Sequence, residues 1–319
     1  MKNRPWLSVM GHTKLVAVIG IIASILILIL MPALHWVAEI TLVVVLVHIA
    51  IFLVLSLSVL VVLPEKIKNW LKEHFIKNDQ KFDAGWSVGW MNGFWVASIV
   101  FLAAAVLIYF SFANLQLLAF LLFLFSLNFF VGNLIIRSPE HNQYLTLPWV
   151  NLFGEGSTRI LDAGCGAGRT TVALGRIYKG RITAFDMFDS DYIDGGGNTL
   201  LEMNLELVGL TEHVEIVQGD ITKTGFHDET FDAVVSSYMI DHLGDQKLNA
   251  LNEINRILKP KGRMLMIILT PNLSAFGLLN VLSFMMMSKK QWRKLFASSN
   301  FRVIEEGEVN GGTYFLIEK

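Results

Sequence analysis

Residues 159–168 read RILDAGCGAG: a short β-rich run, the acid Asp162, then Gly164, Cys165, Gly166 and Gly168 at close spacing. Glycines at a strand-to-helix turn let the backbone approach a ligand closely. The helix that follows offers unpaired N–H groups to a carboxylate or phosphate. Asp186 closes the next β-rich run, RITAFD, about 20 residues after the turn, where this kind of fold presents a carboxylate to a ribose. Taken alone, these features also fit a nicotinamide dinucleotide. That ligand's GxGxxG pattern needs glycine at position 169, however, and Arg169 stands there, so the spacing is GxGxG. Cys165 reads as a small residue in a tight turn. Asp162 reads either as a turn cap or as a ligand contact.

The elements that must position these residues alternate short β-rich runs with helical stretches from Thr158 onward, the pattern of a doubly wound parallel sheet. In this order the chain resembles the class I S-adenosylmethionine (SAM)-dependent methyltransferases over residues 140–319. The glycine turn matches that family's first motif and Asp186 its ribose-binding acid. VEIVQGDI (214–221) matches the third strand, FDAVVS (231–236) the fourth, and 252–268 the helix, Lys-Pro-Lys-Gly turn and fifth strand. Residues 301–309 and 313–318 correspond to the closing antiparallel pair. The resemblance implies an α/β Rossmann-like domain with a seven-stranded, mostly parallel sheet and an antiparallel last strand. It implies SAM as cofactor, with the methionine part on Gly164, Cys165, Gly166 and Gly168 and an indirect contact from Asp162 to the amino group. It also implies Asp186 on the ribose with Met187 beside it, Asp220 on the adenine amine, Ile221 against the ring, and Ser236 at the rim. One departure is the acidic, glycine-ended stretch 186–197. Its Asp186, Asp189, Asp191 and Asp194 read as a solvated loop, with no metal site expected; a divalent cation is the competing reading.

Methyl transfer from a sulfonium is an in-line displacement, so the protein's task is to position donor and acceptor and, for a hydroxyl acceptor, to remove a proton. In the resembled fold the end of the fourth strand faces the methyl group. Here that end reads SSYMIDH, which makes Asp241 and His242 the candidates for orienting the acceptor or taking its proton. The plainer alternative gives them no catalytic part. His141 and Tyr144 are candidates to cap the pocket from the segment entering the domain.

The first part of the chain has another character. The whole is 53% hydrophobic, 17% charged and has mean hydropathy +0.52, too apolar for one soluble domain. No charged residue lies between Lys14 and Glu39, between Glu39 and Glu65, or from Ala84 to Ile136. About 20 apolar residues span a bilayer's hydrocarbon core. The stretches predict an all-α, four-helix transmembrane domain within 1–137, with helices at 15–34, 40–63, 93–111 and 116–136, followed by the methyltransferase-like domain at 138–319. A cleaved signal peptide is the alternative for the first stretch. Lys2, Arg4 and Lys14, the five lysines from Lys66 to Lys81, and Arg137 all fall on one side of such a bundle, so both termini and the soluble domain are expected in the cytoplasm. Residues 65–77 have the amphipathic spacing of an interfacial helix. His48, inside the second span, reads as a hydrogen-bonded helix contact.

Residues 1–136 carry a net charge of +3 and the remainder −4, and a mildly acidic soluble half argues against a nucleic-acid partner. With Cys165 the only cysteine, no intrachain disulfide can form. Membrane lipids and a hydrophobic small-molecule acceptor are the expected partners. Methylation of a membrane-associated protein and a non-catalytic SAM-binding sensor or scaffold are the competing functions. The uncharged stretch 273–287, with Lys289, Lys290, Arg293 and Lys294 behind it, either packs into the domain or lines an acceptor path along Phe276, Leu279, Leu282, Phe284 and Met285.

Overall fold

The computed structural model describes residues 18–27, 29–46, 82–86, 88–136, 143–148, 150–152, 159–190, 193 and 197–319. It divides into two compact units, one of residues 1–75 and 87–136, the other of 76–86 and 137–319.

In the first unit α1 (Val18–Ile27) and α2 (His35–Leu46) flank a 3-10 turn at Pro32–Leu34. The turn comes earlier than the expected loop at 35–39, so Glu39 lies inside α2. Proline explains the difference: it has no N–H to extend a helix and suits the first turn of a new one. Ser24 Oγ donates to Gly20 O at 2.8 Å and to Ala38 O at 3.3 Å, tying α1 to α2. Residues 47–63, His48 and the interfacial segment 65–77 lie outside the described residues.

Helices α3 (Val88–Ser111) and α4 (Gln116–Ile136) form a hairpin through a 3-10 turn at Ala113–Leu115, where the expected polar break stands. Ser98 and Ser126 hydroxyls each donate to the other's carbonyl, at 2.9 and 2.8 Å, and Phe101 stacks on Phe129 with centroids 5.5 Å apart. Small or hydroxylated residues that let helices approach, with polar bonds between them, characterise helix pairs in apolar surroundings. Asn92–Ser111 and Ala113–Ile136 are long and apolar enough to cross a membrane by length and composition; α1 and α2 are shorter. Of the four expected spans, two have helices of sufficient length among the described residues.

The second unit is an α/β domain around a seven-stranded sheet of order β3-β2-β1-β4-β5-β7-β6. The elements run β1 (Arg159–Ala163), α5 (Arg169–Ile177), β2 (Arg181–Asp186), α6 (Asn198–Val208), β3 (Val214–Gln218), β4 (Phe231–Ser237) and α7 (Lys247–Ile257). They continue with β5 (Leu258–Ile268), α8 (Leu273–Leu279), α9 (Lys289–Ser298), β6 (Arg302–Val309) and β7 (Gly312–Glu318). The first five strands are parallel, and β7 pairs antiparallel with both β5 and β6. The Lys-Pro-Lys-Gly turn is looped out within β5, between the Phe231–Leu258 and Ala233–Arg263 pairs, and Lys261 takes φ +63°.

Strand residues alternate between two buried layers. Leu161, Phe185, Val234 and Met266 join Trp292, Phe296 and Phe315 on one face, while Ile160, Ile182, Val235 and Ile267 pack with Leu174 on the other. With both faces buried, the carboxyl ends of β1, β2 and β4 are left as the edge where ligands enter such sheets.

Candidate functional site

The glycine turn sits at that edge, between β1 and α5. Gly164, Gly166 and Gly168 have φ of +80°, +50° and +87°, a region side chains rarely adopt. Gly164 N donates to Phe185 O at 2.7 Å, which fixes the turn to the end of β2. Gly166 N donates to Asp186 Oδ2 at 2.9 Å and Phe188 N to Oδ1 at 2.7 Å, so the turn itself orients the acid. A Cβ on Gly164 would lie 2.3 Å from Met239 Cγ, and one on Gly166 2.9 Å from Ile193 Cδ1. The turn is therefore covered from β4 and from the loop after β2.

Asp162 is completely buried, and Thr171 Oγ1 donates to its Oδ2 at 2.6 Å. Burial pushes its carboxyl up to about 7; Asp186 adds to the rise and the Thr171 bond opposes it. Burial also raises Asp186, against the pull of the amides of Phe188 and Gly166. The Cys165 thiol is buried and pushed well above its ordinary range, which leaves no thiolate for chemistry.

Buried polar atoms almost always find partners. Five side-chain atoms among the described residues do not: Asp162 Oδ1, Ser236 Oγ, Ser237 Oγ, Asp241 Oδ1 and Trp292 Nε1. Four of these belong to residues at, or just beyond, the carboxyl ends of β1 and β4. The other oxygen of Asp241 accepts from Leu269 N at 3.2 Å, which places this carboxylate between the ends of β4 and β5. His242 closes the same 3-10 turn, Ile240–His242, and is half-buried.

At the far side Asp220 is exposed, with Oδ1 accepting from Thr222 N and Oγ1, both at 2.8 Å, and Met187 is exposed beside Asp186. Ile221 belongs to the main core cluster, with 5% of its surface exposed. Tyr144 packs beneath the guanidinium of Arg176, 3.8 Å from the ring centroid. It is partly buried against the cluster that contains Phe82, Val172 and Leu205. His141, Asp191 and Asp194 lie outside the described residues; Asp189 is exposed.

Residues 161–266 match the family model described as a methyltransferase domain. The α/β unit holds a class I methyltransferase domain. A demethylmenaquinone methyltransferase of Staphylococcus aureus is 30% identical over 132 residues, which cover 41% of this chain and 51% of that relative. The chain thus spans about half the length of the curated relatives it matches. Among solved structures, a SAM-dependent methyltransferase from Aquifex aeolicus is 20% identical, with 50% of this chain and 81% of that one covered and a TM-score of 0.43. A second, from Methanosarcina mazei, is 18% identical over 55% and 98%, with a TM-score of 0.43.

The cofactor of the methyltransferase domain is SAM, and the residues present fit it. Asp162, Asp186 and Asp220 put acceptors at the ends of β1, β2 and β3, matching a ligand whose amine, ribose and adenine are donors.

Sequence reasoning missed a segment that packs beside the glycine turn. Residues 82–86 belong to this unit, not to the apolar one. Phe82 and Ala84 are buried with Cys165, Ala184 and Leu201, and Trp86 forms an antiparallel bridge with Ile193. The only local signal was an Asp83-Ala84-Gly85-Trp86 run, whose partners lie about eighty or more residues away.

Proposed function

We propose that this chain is an integral-membrane, SAM-dependent methyltransferase that methylates a hydrophobic, lipid-like small molecule at the cytoplasmic membrane face. The observation that carries the reading is the cluster of unpartnered buried acceptors on Asp162, Ser236, Ser237 and Asp241 at one sheet edge, beside a glycine turn. Left unmatched, each such group costs about 1–3 kcal/mol, so the edge favours a polar ligand with several donors.

When bound, SAM supplies an electrophilic methyl group on a positively charged sulfur. The chain's residues bind and orient: the turn holds the ligand's amino-acid end, and Asp186, itself held by two backbone amides, accepts from the ribose. Asp241 is fixed through Oδ2 and keeps Oδ1 to orient an acceptor hydroxyl or take its proton, with His242 adjoining.

The acceptor class is supported by the relative's printed substrate, a demethylmenaquinone, and by the surface just beyond β5. There Leu273 is 90% exposed and Phe284 70%, with Phe276 and Met285 also outside and Ala275 and Ser283 buried. That arrangement favours an acceptor path over a core helix. Arg293 and Lys289 pair with Glu306 and Glu308, while Lys290 and Lys294 remain exposed for headgroups. The uncharged outer faces of α3 and α4, with Val100, Leu107 and Phe120 exposed, support the membrane reading.

Reporter fusions test the placement. Fusions at Lys77 and Lys319 are expected to report cytoplasm and one at Ala113 the opposite face. A C-terminus on the outer side would separate the domain from cytosolic SAM and overturn the proposal.

A further inference from the structure

The segment 82–86 precedes α3 in the chain, inside the stretch expected to link two transmembrane helices, yet its contacts are with the glycine turn. Asn204, on α6 and 2% exposed, joins them. Its Oδ1 accepts from Asp83 N at 3.0 Å, and its Nδ2 donates to Asp83 O and to Ala167 O, both at 2.8 Å. One buried amide thus ties the segment to the carbonyl of a turn residue with three of its four bonds satisfied. Gly85, at φ +75°, is held in this shape by Asp83 Oδ1, which accepts from its N–H at 2.8 Å. A Cβ there would lie 2.7 Å from both Ile193 Cγ2 and Leu200 Cδ1 and 3.6 Å from Ala167 Cβ.

The contacts continue to the middle of the turn. Ile193, bridged to Trp86, rests its Cδ1 over Gly166, and Gly197 approaches so closely that a Cβ would lie 2.9 Å from the Gly166 carbonyl carbon. Arg169, the first residue of α5, sets its guanidinium 5.6 Å from the Trp86 ring centroid while its Nε donates to Gln143 O at 2.8 Å. The segment therefore touches the C-terminal end of the turn, at Ala167 and at Arg169. It also backs the residue that covers the middle.

We propose that residues 82–86 are a wall of the SAM site. They act as a positioning element that holds Ile193 and Gly197 over the glycine turn and fixes the first turn of α5 through Trp86 and Arg169. The proposal rests on the SAM-binding reading of the turn. Its consequence is that the methyltransferase domain is not complete from residue 138 onward: cofactor affinity depends on a segment contributed from between the predicted second and third spans.

The test uses the full chain in nanodiscs, titrated with S-adenosylhomocysteine by calorimetry. Trp86→Ala is expected to raise Kd by about tenfold, from loss of the aromatic face under Arg169 and of the support for Ile193. Trp86→Phe, which keeps a ring, is expected to restore most of the affinity. The thermal midpoint of the ligand-free protein should move little, which separates positioning from a general packing loss. Hydrogen exchange on the unmodified protein supplies an arm independent of any variant: the amides of 82–86 should slow when S-adenosylhomocysteine is added. A Trp86→Ala affinity within about twofold of wild type, or exchange at 82–86 that ignores the ligand, overturns the proposal while leaving the cofactor reading intact. Failure of the wild type to bind removes both.

Discussion

Gly166→Val is expected to remove cofactor binding, with Kd for S-adenosylhomocysteine rising more than about a hundredfold. Three effects act together. The residue sits at φ +50°, where a β-branched side chain is strained. Its Cβ would meet Ile193 Cδ1 at 2.9 Å, and its N–H holds Asp186 Oδ2, so any backbone shift that relieves the strain moves the acid as well. Gly209→Ala is the matched control: it shares a positive φ of +69°, at the end of α6, but a Cβ there meets nothing within 4 Å. That variant should lose about 1 kcal/mol of stability with Kd unchanged. Calorimetry on both separates local strain from loss of the site; a Gly166→Val protein that binds within about tenfold of wild type would contradict the assignment of the turn.

The second large effect is on pH dependence. The Asp162 carboxyl is raised from its ordinary 3.8 to about 7, chiefly by burial. Between those values the folded chain holds a proton that the unfolded chain releases. The favourable contribution of the protonated group is thus complete below pH 4 and is lost as pH rises through about 7, a few kcal/mol in all. A ligand carrying an ammonium group near this carboxyl favours the ionised form. Binding below about pH 7 then expels the proton, and affinity should fall by up to tenfold for each pH unit lowered. Titrations from pH 8 down to pH 5.5 measure this. Asp162→Asn should flatten the profile and raise the ligand-free melting temperature above pH 7. A flat wild-type profile, or an unchanged slope in the variant, would show that Asp162 does not sense the ligand.

The parts of the site legible in the sequence are those where chemistry imposes local spacing. The turn must be nearly free of side chains, the acid must end the next strand, and each strand must be apolar on both faces; all three leave marks within about 20 residues. Hence the strands and the 164–168 turn stand where the spacing predicts. What escaped depends on distant partners. Asn204 and Asp83 are 121 residues apart, so no periodicity announces their bonds. Tyr144 carried the residue type of a pocket cap, but its contact with Arg176, 32 residues on, left no local mark. The Pro32 turn was hidden inside an uninterrupted apolar stretch, where hydropathy reports composition but not direction. In 273–287, composition alone left core and surface equally open, and the 90% exposure of Leu273 turns on how α8 meets the strand ends.

The most direct measurement of the central claim is transfer of label from methyl-labelled SAM by the full chain in nanodiscs supplied with a membrane extract. The account predicts that label enters a small, organic-extractable molecule, and that Gly166→Val abolishes the transfer. Label that enters only protein or water-soluble products, or no transfer by a chain that binds SAM, would contradict it.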